Sequence, residues 1–343
     1  MRIAELFEPG RFRLVEGSIP APGPGEVQVR VQAVGICGSD AHQFSEGRIG
    51  DAATTYPMVL GHEPAGVVVG IGPGVTGWVA GDRAALEPAV YCYHCEFCLS
   101  GRHNICSRIR FLSNSPDPGF FRELVNLPAV NLLPLPAGLS FAEGTLFEPL
   151  AVVLHSMQFV ALRPMETAAV FGAGPIGLMT IILLKMSGAA RVWAVEPVPH
   201  RREMAKFAGA DAVLDPRGVD AAAEILHDTG RRGVDVAIDC AAREGSLNQC
   251  IEVTRNGGRV VLTGIPIEIE TPLRFHVARR KELVFYNVRR SSGESGAALK
   301  LLSRAPGRFQ PILTHTFPLE RVQDAFDMLK NYSDGAGKVV ICT

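Results

Sequence analysis

The feature of this sequence that most constrains its fold is a glycine-rich turn between a short apolar segment and a long one. Gly172, Gly174 and Gly177 have the spacing G-x-G-x-x-G, preceded by the apolar residues 168–171 and followed by the apolar residues 178–186. This pattern predicts a strand, a tight turn and a buried helix. Glycines at these places let backbone amides approach an anion at the N-terminus of the helix.

Further strands alternate with helical segments from about residue 148 onward. The predicted strands are residues 168–171, 191–195, 212–214, 234–238, 259–262 and 283–286. Helix-like segments lie between them. This alternation predicts an α/β fold with a doubly wound parallel sheet of six strands and helices on both faces.

The length of 343 residues exceeds what one hydrophobic core usually serves, so two domains are expected. Residues 1–147 carry short β-type runs broken by Gly and Pro, which predicts a β-rich, irregular domain. Residues 148–287 make up the predicted doubly wound domain. Residues 288–343 contain helical segments and an extended run at 338–341, and we expect them to return to the first domain.

Charge and hydropathy exclude several function classes. The 34 basic and 35 acidic residues nearly balance, so the chain has no electrostatic footprint for nucleic acid or an anionic membrane. The most apolar stretch, residues 168–186, is interrupted by three glycines and a proline, which argues against a membrane span. Glu5 and Glu8 disagree with the basic-then-apolar pattern of a secretory signal, so a cytoplasmic location is expected.

The strand after the glycine-rich turn supplies a second part of a nucleotide site. It ends on Glu196, about twenty residues on, where a carboxylate can accept hydrogen bonds from the hydroxyls of an adenosine ribose. An acid there repels a 2′-phosphate, which favours NAD over NADP. Arg201 and Arg202 leave the choice open, since an arginine near the pocket can accommodate a phosphate. Arg201 is assigned a contact to the ribose or the pyrophosphate.

Four of the eight cysteines are concentrated in one segment, the four-cysteine loop, residues 92–106. Its thiols belong to Cys92, Cys95, Cys98 and Cys106. Four soft sulfur ligands in one short loop are what a closed, structural zinc site needs. The sequence therefore predicts a lobe at about residues 88–107 that is held together by a structural zinc ion. This ion has no open coordination position and takes no part in catalysis.

A second set of metal-binding side chains lies earlier in the chain. Cys37, His62 and Glu63 together offer thiolate, imidazole and carboxylate. This is the mixed donor set of catalytic zinc, which leaves one position for water or substrate. Glu148 enters an otherwise apolar segment, and a buried carboxylate without a partner is costly. We therefore expect Glu148 to face a metal, its bound water or a polar substrate.

These residues together resemble the zinc-containing medium-chain dehydrogenases, specifically their sorbitol (polyol) dehydrogenase branch. The resemblance covers essentially the whole chain, and its marks are the four-cysteine loop and residues 35–40, 61–72, 148–150, 172–177 and 314–320. It implies a GroES-like β-rich catalytic domain interrupted by a Rossmann domain. It further implies zinc at Cys37 and His62, with Glu63 or Glu148 completing the shell directly or through water.

The resemblance also implies roles for other side chains. Ser39 would touch the substrate oxygen, His42 would continue a proton path to solvent, and Arg290 would reach the active site. The residues expected to bind NAD are Gly172, Gly174, Pro175, Ile176, Gly177, Glu196, Arg201, Leu262, Gly264 and Ile265.

The substrate stays open, because Gln43 and Ser291 stand where polyol dehydrogenases often carry aromatic side chains. The predicted function is transfer of a hydride from a secondary alcohol of a polyol or sugar-derived substrate to NAD, with one catalytic and one structural zinc ion per chain. The alternatives are a threonine-type or simple-alcohol zinc dehydrogenase, and a catalytically silent nucleotide- and zinc-binding protein. A homo-oligomer, dimer or tetramer, is expected.

Overall fold

The computed structural model describes residues 1–243 and 245–343, and they divide into two compact units. The first unit comprises Met1–Ala151 and Ser291–Thr343, and the second comprises Val152–Arg290. The first division falls inside the helix Phe147–Val160, four residues after the predicted domain boundary at 147. The first turn of this helix, which carries Glu148, therefore belongs to the first unit.

The first unit is built on a seven-stranded sheet that draws strands from both of its chain segments. Its order is Leu132–Pro134, Arg83–Leu86, Glu63–Ile71, Glu26–Gly35, Lys338–Cys342 and Leu313–Pro318, with Leu124–Pro128 also pairing with Glu26–Gly35. The pairings are antiparallel except that Lys338–Cys342 and Leu313–Pro318 run parallel. The C-terminal segment thus returns to the first unit as an integral strand.

Small hairpins and short helices surround this sheet. The two-stranded pairs are Arg2–Glu8 with Arg11–Glu16, Arg48–Ile49 with Ala52–Ala53, and Ala89–Val90 with Arg110–Phe111. The α-helices are Gly38–Glu46, Glu96–Leu99, Phe141–Gly144, the start of Phe147–Val160, Ser295–Arg304, Pro306–Phe309 and Val322–Asn331. Single 3₁₀ turns are His103–Ile105, Ala129–Asn131, Gln310–Ile312 and Leu319–Arg321.

Aromatic packing fixes the helix Gly38–Glu46 against the core of the first unit. Phe44, which is 2 % exposed, stacks on Phe12 at 5.6 Å between ring centroids and packs on Phe326 at 4.9 Å. Burying an aromatic ring contributes a large share of core stability. The helix is therefore anchored by its last turn, and its N-terminal turn is free to carry polar residues.

The second unit is a six-stranded, wholly parallel sheet. Its strand order is Ala212–Leu214, Arg191–Val195, Thr167–Phe171, Val234–Asp239, Thr254–Leu262 and Val284–Asn287. The helices of this unit are the rest of Phe147–Val160, Pro175–Met186, Pro199–Ala208, Ala221–Asp228, Ser246–Val253 and Phe275–Arg280. This order is that of dinucleotide-binding Rossmann folds, and the predicted α/β class is confirmed.

The order of the sheet reverses at Thr167–Phe171, the strand that leads into the glycine-rich turn. Ligands of open parallel sheets bind at the carboxyl ends of strands beside such a reversal. None of the helices within residues 1–243 and 245–343 has both the length and the apolar character needed to cross a membrane.

Candidate metal centres and nucleotide site

Three side chains of the first unit converge in one place, which we call the mixed-ligand centre: Cys37, His62 and Glu63. Their ligating atoms all lie within 4.8 Å of one another. Cys37 is the N-cap of the helix Gly38–Glu46, and Glu63 opens a strand whose partner residue is Gly35. Pairing of two strands therefore brings together residues that are far apart in the sequence. Thiolate, imidazole and carboxylate at this spacing fit a zinc ion.

Asp40 orients the imidazole of the mixed-ligand centre. Its Oδ1 lies 3.2 Å from His62 Nδ1, so that Nε2 is the nitrogen left for a metal. The fully buried Asp40 also accepts hydrogen bonds from the backbone amides of Cys37 at 3.0 Å and Gly61 at 3.1 Å, and from the hydroxyl of Ser113 at 2.9 Å.

The electrostatics around His62 favour a positive charge at its ring. Burial opposes ionisation of Asp40, but the charge of His62 and the hydrogen bonds from Cys37 and Gly61 lower the pKa of its carboxyl. Burial also opposes protonation of His62, yet Asp40 and Cys37 raise the pKa of its imidazole well above the ordinary value. A cation is thus favoured at this point, which is what a metal ion supplies.

Lys338 neutralises Glu63. Its Nζ donates to both carboxylate oxygens, at 2.6 Å and 2.7 Å, and to the carbonyl of Ile36 at 3.0 Å. Lys338 is 2 % exposed and Glu63 is fully buried. Burial opposes the charge of Lys338, but Glu63 and Cys37 raise its pKa above the ordinary value. Sequence reasoning missed both Lys338 and Asp40, although a lysine opening the apolar strand Lys338–Cys342 was a signal.

Glu148 lies near the mixed-ligand centre without being part of the close set of ligating atoms. It is 7 % exposed. Burial raises the pKa of its carboxyl to about 8; Glu63 and Glu87 add to the rise, and His62 and Lys338 oppose it. A carboxyl in such surroundings is able to exchange a proton near neutral pH.

The helix Gly38–Glu46 presents the other polar residues of this region. The hydroxyl of the buried Ser39 lies 3.5 Å from His62 Nε2, and the half-buried His42 follows one turn later. The buried amide of Gln43 donates to the carbonyl of Ser113 at 2.8 Å and accepts from Thr54 at 3.2 Å. Gln43 therefore holds neighbouring loops together.

The four-cysteine loop gathers its thiols into a compact cluster. All four sulfur atoms lie within 4.8 Å of one another, with contacts of 3.9 Å, 3.9 Å and 3.5 Å between Sγ atoms. A tetrahedron of Zn–S bonds has edges of about 3.8 Å. The thiols are free of disulfide bonds. Backbone hydrogen bonds from Cys98 and Ser107 lower the pKa of Cys95 to about 5, whereas burial and hydrogen bonds with Cys106 and Cys95 raise the pKa of Cys98 to about 12. The cluster thus favours a thiolate at Cys95, the form that binds zinc.

The glycine-rich turn of the second unit has the shape of a phosphate cradle. Gly172 has a φ of +93°, and a Cβ on Gly177 would lie 1.9 Å from the carbonyl oxygen of Gly172. A Cβ on Gly174 would meet only Arg201 Nη1, at 3.9 Å. Pro175 then opens the helix Pro175–Met186, so the turn leaves space for an anion at the helix N-terminus.

Glu196 lies beside this turn at the end of its strand. It is 4 % exposed, and its carboxylate accepts hydrogen bonds from the amides of Ala173 at 2.7 Å and Val198 at 2.9 Å. These bonds hold the carboxylate in place and leave lone pairs for ribose hydroxyls. The structure thus places Glu196 and Arg201 beside the glycine-rich turn, and their contacts with the ribose or the pyrophosphate stay predictions.

The remaining predicted residues lie in the second unit. The amide of Gly264 donates to the carbonyl of Asp239 at 2.9 Å, next to the half-buried Leu262 and the exposed Ile265. Ile176 is half-buried in the first turn of its helix. Arg290, the last residue of the second unit, has a φ of +52°, and its role in the active site stays a prediction.

Family models match both parts of the chain. The alcohol dehydrogenase GroES-like domain matches residues 23–137, and the zinc-binding dehydrogenase domain matches residues 175–304. These are the two domain types implied by the resemblance to the zinc-containing medium-chain dehydrogenases.

Individual proteins are similar over nearly the full length. Sorbitol dehydrogenase of Bacillus subtilis (strain 168) is 33 % identical over 341 residues, covering 99 % of this chain and 97 % of that protein. L-idonate 5-dehydrogenase of Vitis vinifera is 34 % identical over 316 residues, with coverages of 90 % and 86 %. The crystal structure of a zinc-binding dehydrogenase from Sinorhizobium meliloti 1021 bound to NADP has a TM-score of 0.90 at 28 % identity, with coverages of 100 % and 99 %.

Proposed function

The chain belongs to the zinc-containing medium-chain dehydrogenases, in their sorbitol dehydrogenase branch, and on that premise we propose that it oxidises a secondary alcohol of a polyol or sugar-derived substrate with NAD. The observation that carries the proposal is the mixed-ligand centre, with Glu148 buried nearby. It contains a single thiolate, whereas zinc dehydrogenases of simple alcohols place a cysteine ligand in the region of Glu148.

In the proposed enzyme Cys37, His62 and Glu63 hold a catalytic zinc ion. Zinc held there supplies Lewis acidity, which lowers the pKa of an alcohol hydroxyl. Asp40 keeps His62 in the tautomer whose Nε2 is a ligand, and Lys338 balances the charge of Glu63. The four-cysteine loop holds a second, structural zinc ion.

Proton release follows the helix Gly38–Glu46 in this proposal. Ser39 Oγ takes the proton of the substrate hydroxyl as it gives up its own hydroxyl proton, which passes on to the imidazole of His42, because residues three apart lie on the same face of a helix. A histidine suits this transfer, since its ordinary pKa is close to neutral pH. Glu148, a buried carboxyl near the centre, is a second group able to exchange protons there.

The nucleotide site is proposed to take NAD. NAD supplies the hydride acceptor, which no amino-acid side chain provides. Gly174 lets the backbone approach the pyrophosphate, while Gly172 and Gly177 allow the tight turn and the close packing of strand and helix. Arg201 lies beside the pyrophosphate, and the fixed carboxylate of Glu196 accepts hydrogen bonds from the ribose hydroxyls. A buried acid at this point disfavours a 2′-phosphate, although a structural neighbour was solved with NADP.

A polyhydroxylated substrate agrees with the names of two relatives, a sorbitol and an L-idonate dehydrogenase. Gln43 does not distinguish among substrates in this proposal, because its amide is engaged by Ser113 and Thr54. Ser39 and Glu148, near the mixed-ligand centre, offer a hydroxyl and a carboxyl group that can form hydrogen bonds with a polyhydroxylated substrate.

The test is reduction of NAD and NADP over a panel of polyols, sugar acids, threonine and simple secondary alcohols, with zinc counted per chain. We expect turnover with at least one polyol or sugar acid, a preference for NAD, and two zinc ions per chain. Turnover restricted to threonine or to simple alcohols would overturn the substrate class. Zinc and nucleotide binding without turnover on any panel member would indicate a silent binding protein. The molar mass from light scattering on the same preparation tests whether the chains form the predicted dimer or tetramer.

A further inference from the structure

Two arginines outside the assigned nucleotide site meet at the carbonyl of Pro197, directly after Glu196. Arg202 Nη1 donates to the Pro197 carbonyl at 2.7 Å and to the Glu196 carbonyl at 3.0 Å. Arg217 Nη2 donates to the same Pro197 carbonyl. We call Arg202 and Arg217 the arginine pair. Both guanidinium groups therefore lie at the end of the strand that leads to Glu196, the residue proposed to bind the adenosine ribose.

One carboxylate holds the arginine pair. Asp215 Oδ2 lies 2.9 Å from Arg202 Nη1 and accepts from Arg217 Nη2 at 3.2 Å. Asp215 Oδ1 accepts from the Nε of Arg217 at 3.2 Å and from its backbone amide at 3.1 Å. The hydrogen bonds from Arg217 lower the pKa of Asp215, with the charges of both arginines adding to the effect.

The position of Asp215 follows from the sheet. The amide of Glu196 donates to the carbonyl of Leu214 at 3.0 Å, so Asp215, the next residue, lies beside the end of the neighbouring strand. In NADP the extra phosphate is carried on the ribose 2′ oxygen, which Glu196 is proposed to read. Two guanidinium groups close to this point are the side chains that recognise phosphate most effectively.

We propose that Asp215 is a specificity-determining residue that acts through the arginine pair. It engages Arg202 and Arg217 in ion pairs against the Pro197 carbonyl and so withholds them from a 2′-phosphate. Discrimination against NADP then uses two carboxylates: Glu196 repels the phosphate directly, and Asp215 removes the cations that would bind it. This inference rests on the proposed preference for NAD. Arg201 does not belong to the arginine pair, because its guanidinium group lies close to Gly174 in the glycine-rich turn.

The experiment is direct titration of the purified, zinc-loaded protein with NADH and NADPH, followed by the fluorescence of the bound nicotinamide. The variants are Glu196→Ser, Asp215→Asn and their combination, with Asp215→Ser as a second replacement. Asp215→Asn alone should change the affinity for NADPH by less than about threefold, because Glu196 still repels the phosphate. The combination should bind NADPH about tenfold more tightly than Glu196→Ser, because freed guanidinium groups make charge-assisted hydrogen bonds. The gain should shrink at high salt.

Two combinations serve as matched controls. Glu196→Ser with Asp215→Glu keeps the counter-ion and should show no gain. Glu196→Ser with Asp211→Asn removes the ion pair of Asp211 with Lys185, at 2.9 Å in the same unit, and should show no gain either.

Equal NADPH affinities for Glu196→Ser and for its combinations with Asp215→Asn and Asp215→Ser, in proteins with unchanged thermal unfolding, would overturn the inference. Failure of the proposed function is a separate result. It would show as a wild-type protein that binds NADPH at least as tightly as NADH, whatever the variants do.

Discussion

The first unit contains two cysteine-based centres that are built in opposite ways. The four-cysteine loop draws all its ligands from residues 92–106, and each of them is a thiol. The mixed-ligand centre draws three different donors from two strand ends, and charged residues from further away surround it. Lys338, for example, reaches Glu63 across 275 positions of sequence.

The difference shows which features distinguish a closed, structural metal site from one that can react with a substrate. A short loop with four identical soft ligands satisfies a metal completely and leaves no position for a substrate. Three donors leave a position open, but they also leave buried charges that the rest of the fold must balance. Asp40 and Lys338 balance the mixed-ligand centre, and their contacts depend on the sheet of the first unit.

Replacing Cys37 should have the largest effect. Cys37→Ser should lower kcat/KM by at least about 10³-fold, because a lost Lewis acid removes several kcal/mol of transition-state stabilisation. The zinc content should fall by about one ion per chain. Steady-state kinetics and metal analysis measure both quantities. Cys342→Ser, at an exposed position of the last strand, is the matched control and should leave both unchanged. Full activity of the Cys37→Ser variant would show that Cys37 is not a ligand of the catalytic zinc ion.

Replacing Lys338 should have an intermediate effect on turnover. Lys338→Met leaves the buried carboxylate of Glu63 unpaired, which costs about 3 kcal/mol of unfolding free energy without metal. Bound zinc should offset part of that cost, and kcat/KM should fall about 10- to 100-fold. Chemical denaturation with and without zinc separates the two contributions. Lys185→Met, which breaks an exposed pair with Asp211, should cost about 1 kcal/mol or less. Equal losses for the two variants would show that Lys338 is an ordinary ion-pair partner.

Replacing a cysteine of the four-cysteine loop should affect turnover least. Cys98→Ser should release one zinc ion and lower the unfolding free energy by about 4 kcal/mol, since a structural metal contributes folding energy directly. Activity of the surviving folded protein should stay within about tenfold of wild type, because this loop touches no reacting group in the proposal. Kinetics at low temperature and thermal unfolding provide the two measurements. A loss of turnover as large as that of Cys37→Ser would contradict the proposal that the four-cysteine loop is only structural.

The sequence by itself determined the parts of this protein that depend on local spacing. The alternation of strands and helices in the second unit predicted its parallel sheet, which the structure confirms. The spacing of Gly172, Gly174 and Gly177 predicted a phosphate cradle, and four cysteines within residues 92–106 predicted a closed metal site. Backbone conformation and short-range ligand geometry are properties of neighbouring residues, so they are visible in one segment.

Only the tertiary structure decided how the buried charges are paired. Lys338 with Glu63, Asp40 with His62, and Asp215 with Arg202 join residues from different strands and helices. An ion pair leaves no periodic mark in the sequence, because its partners are selected by the pairing of strands and by exclusion of water. These pairs set the charge at the mixed-ligand centre and beside the strand end at Glu196, and the local motifs that assign the chain to its family leave the charge at both places undetermined.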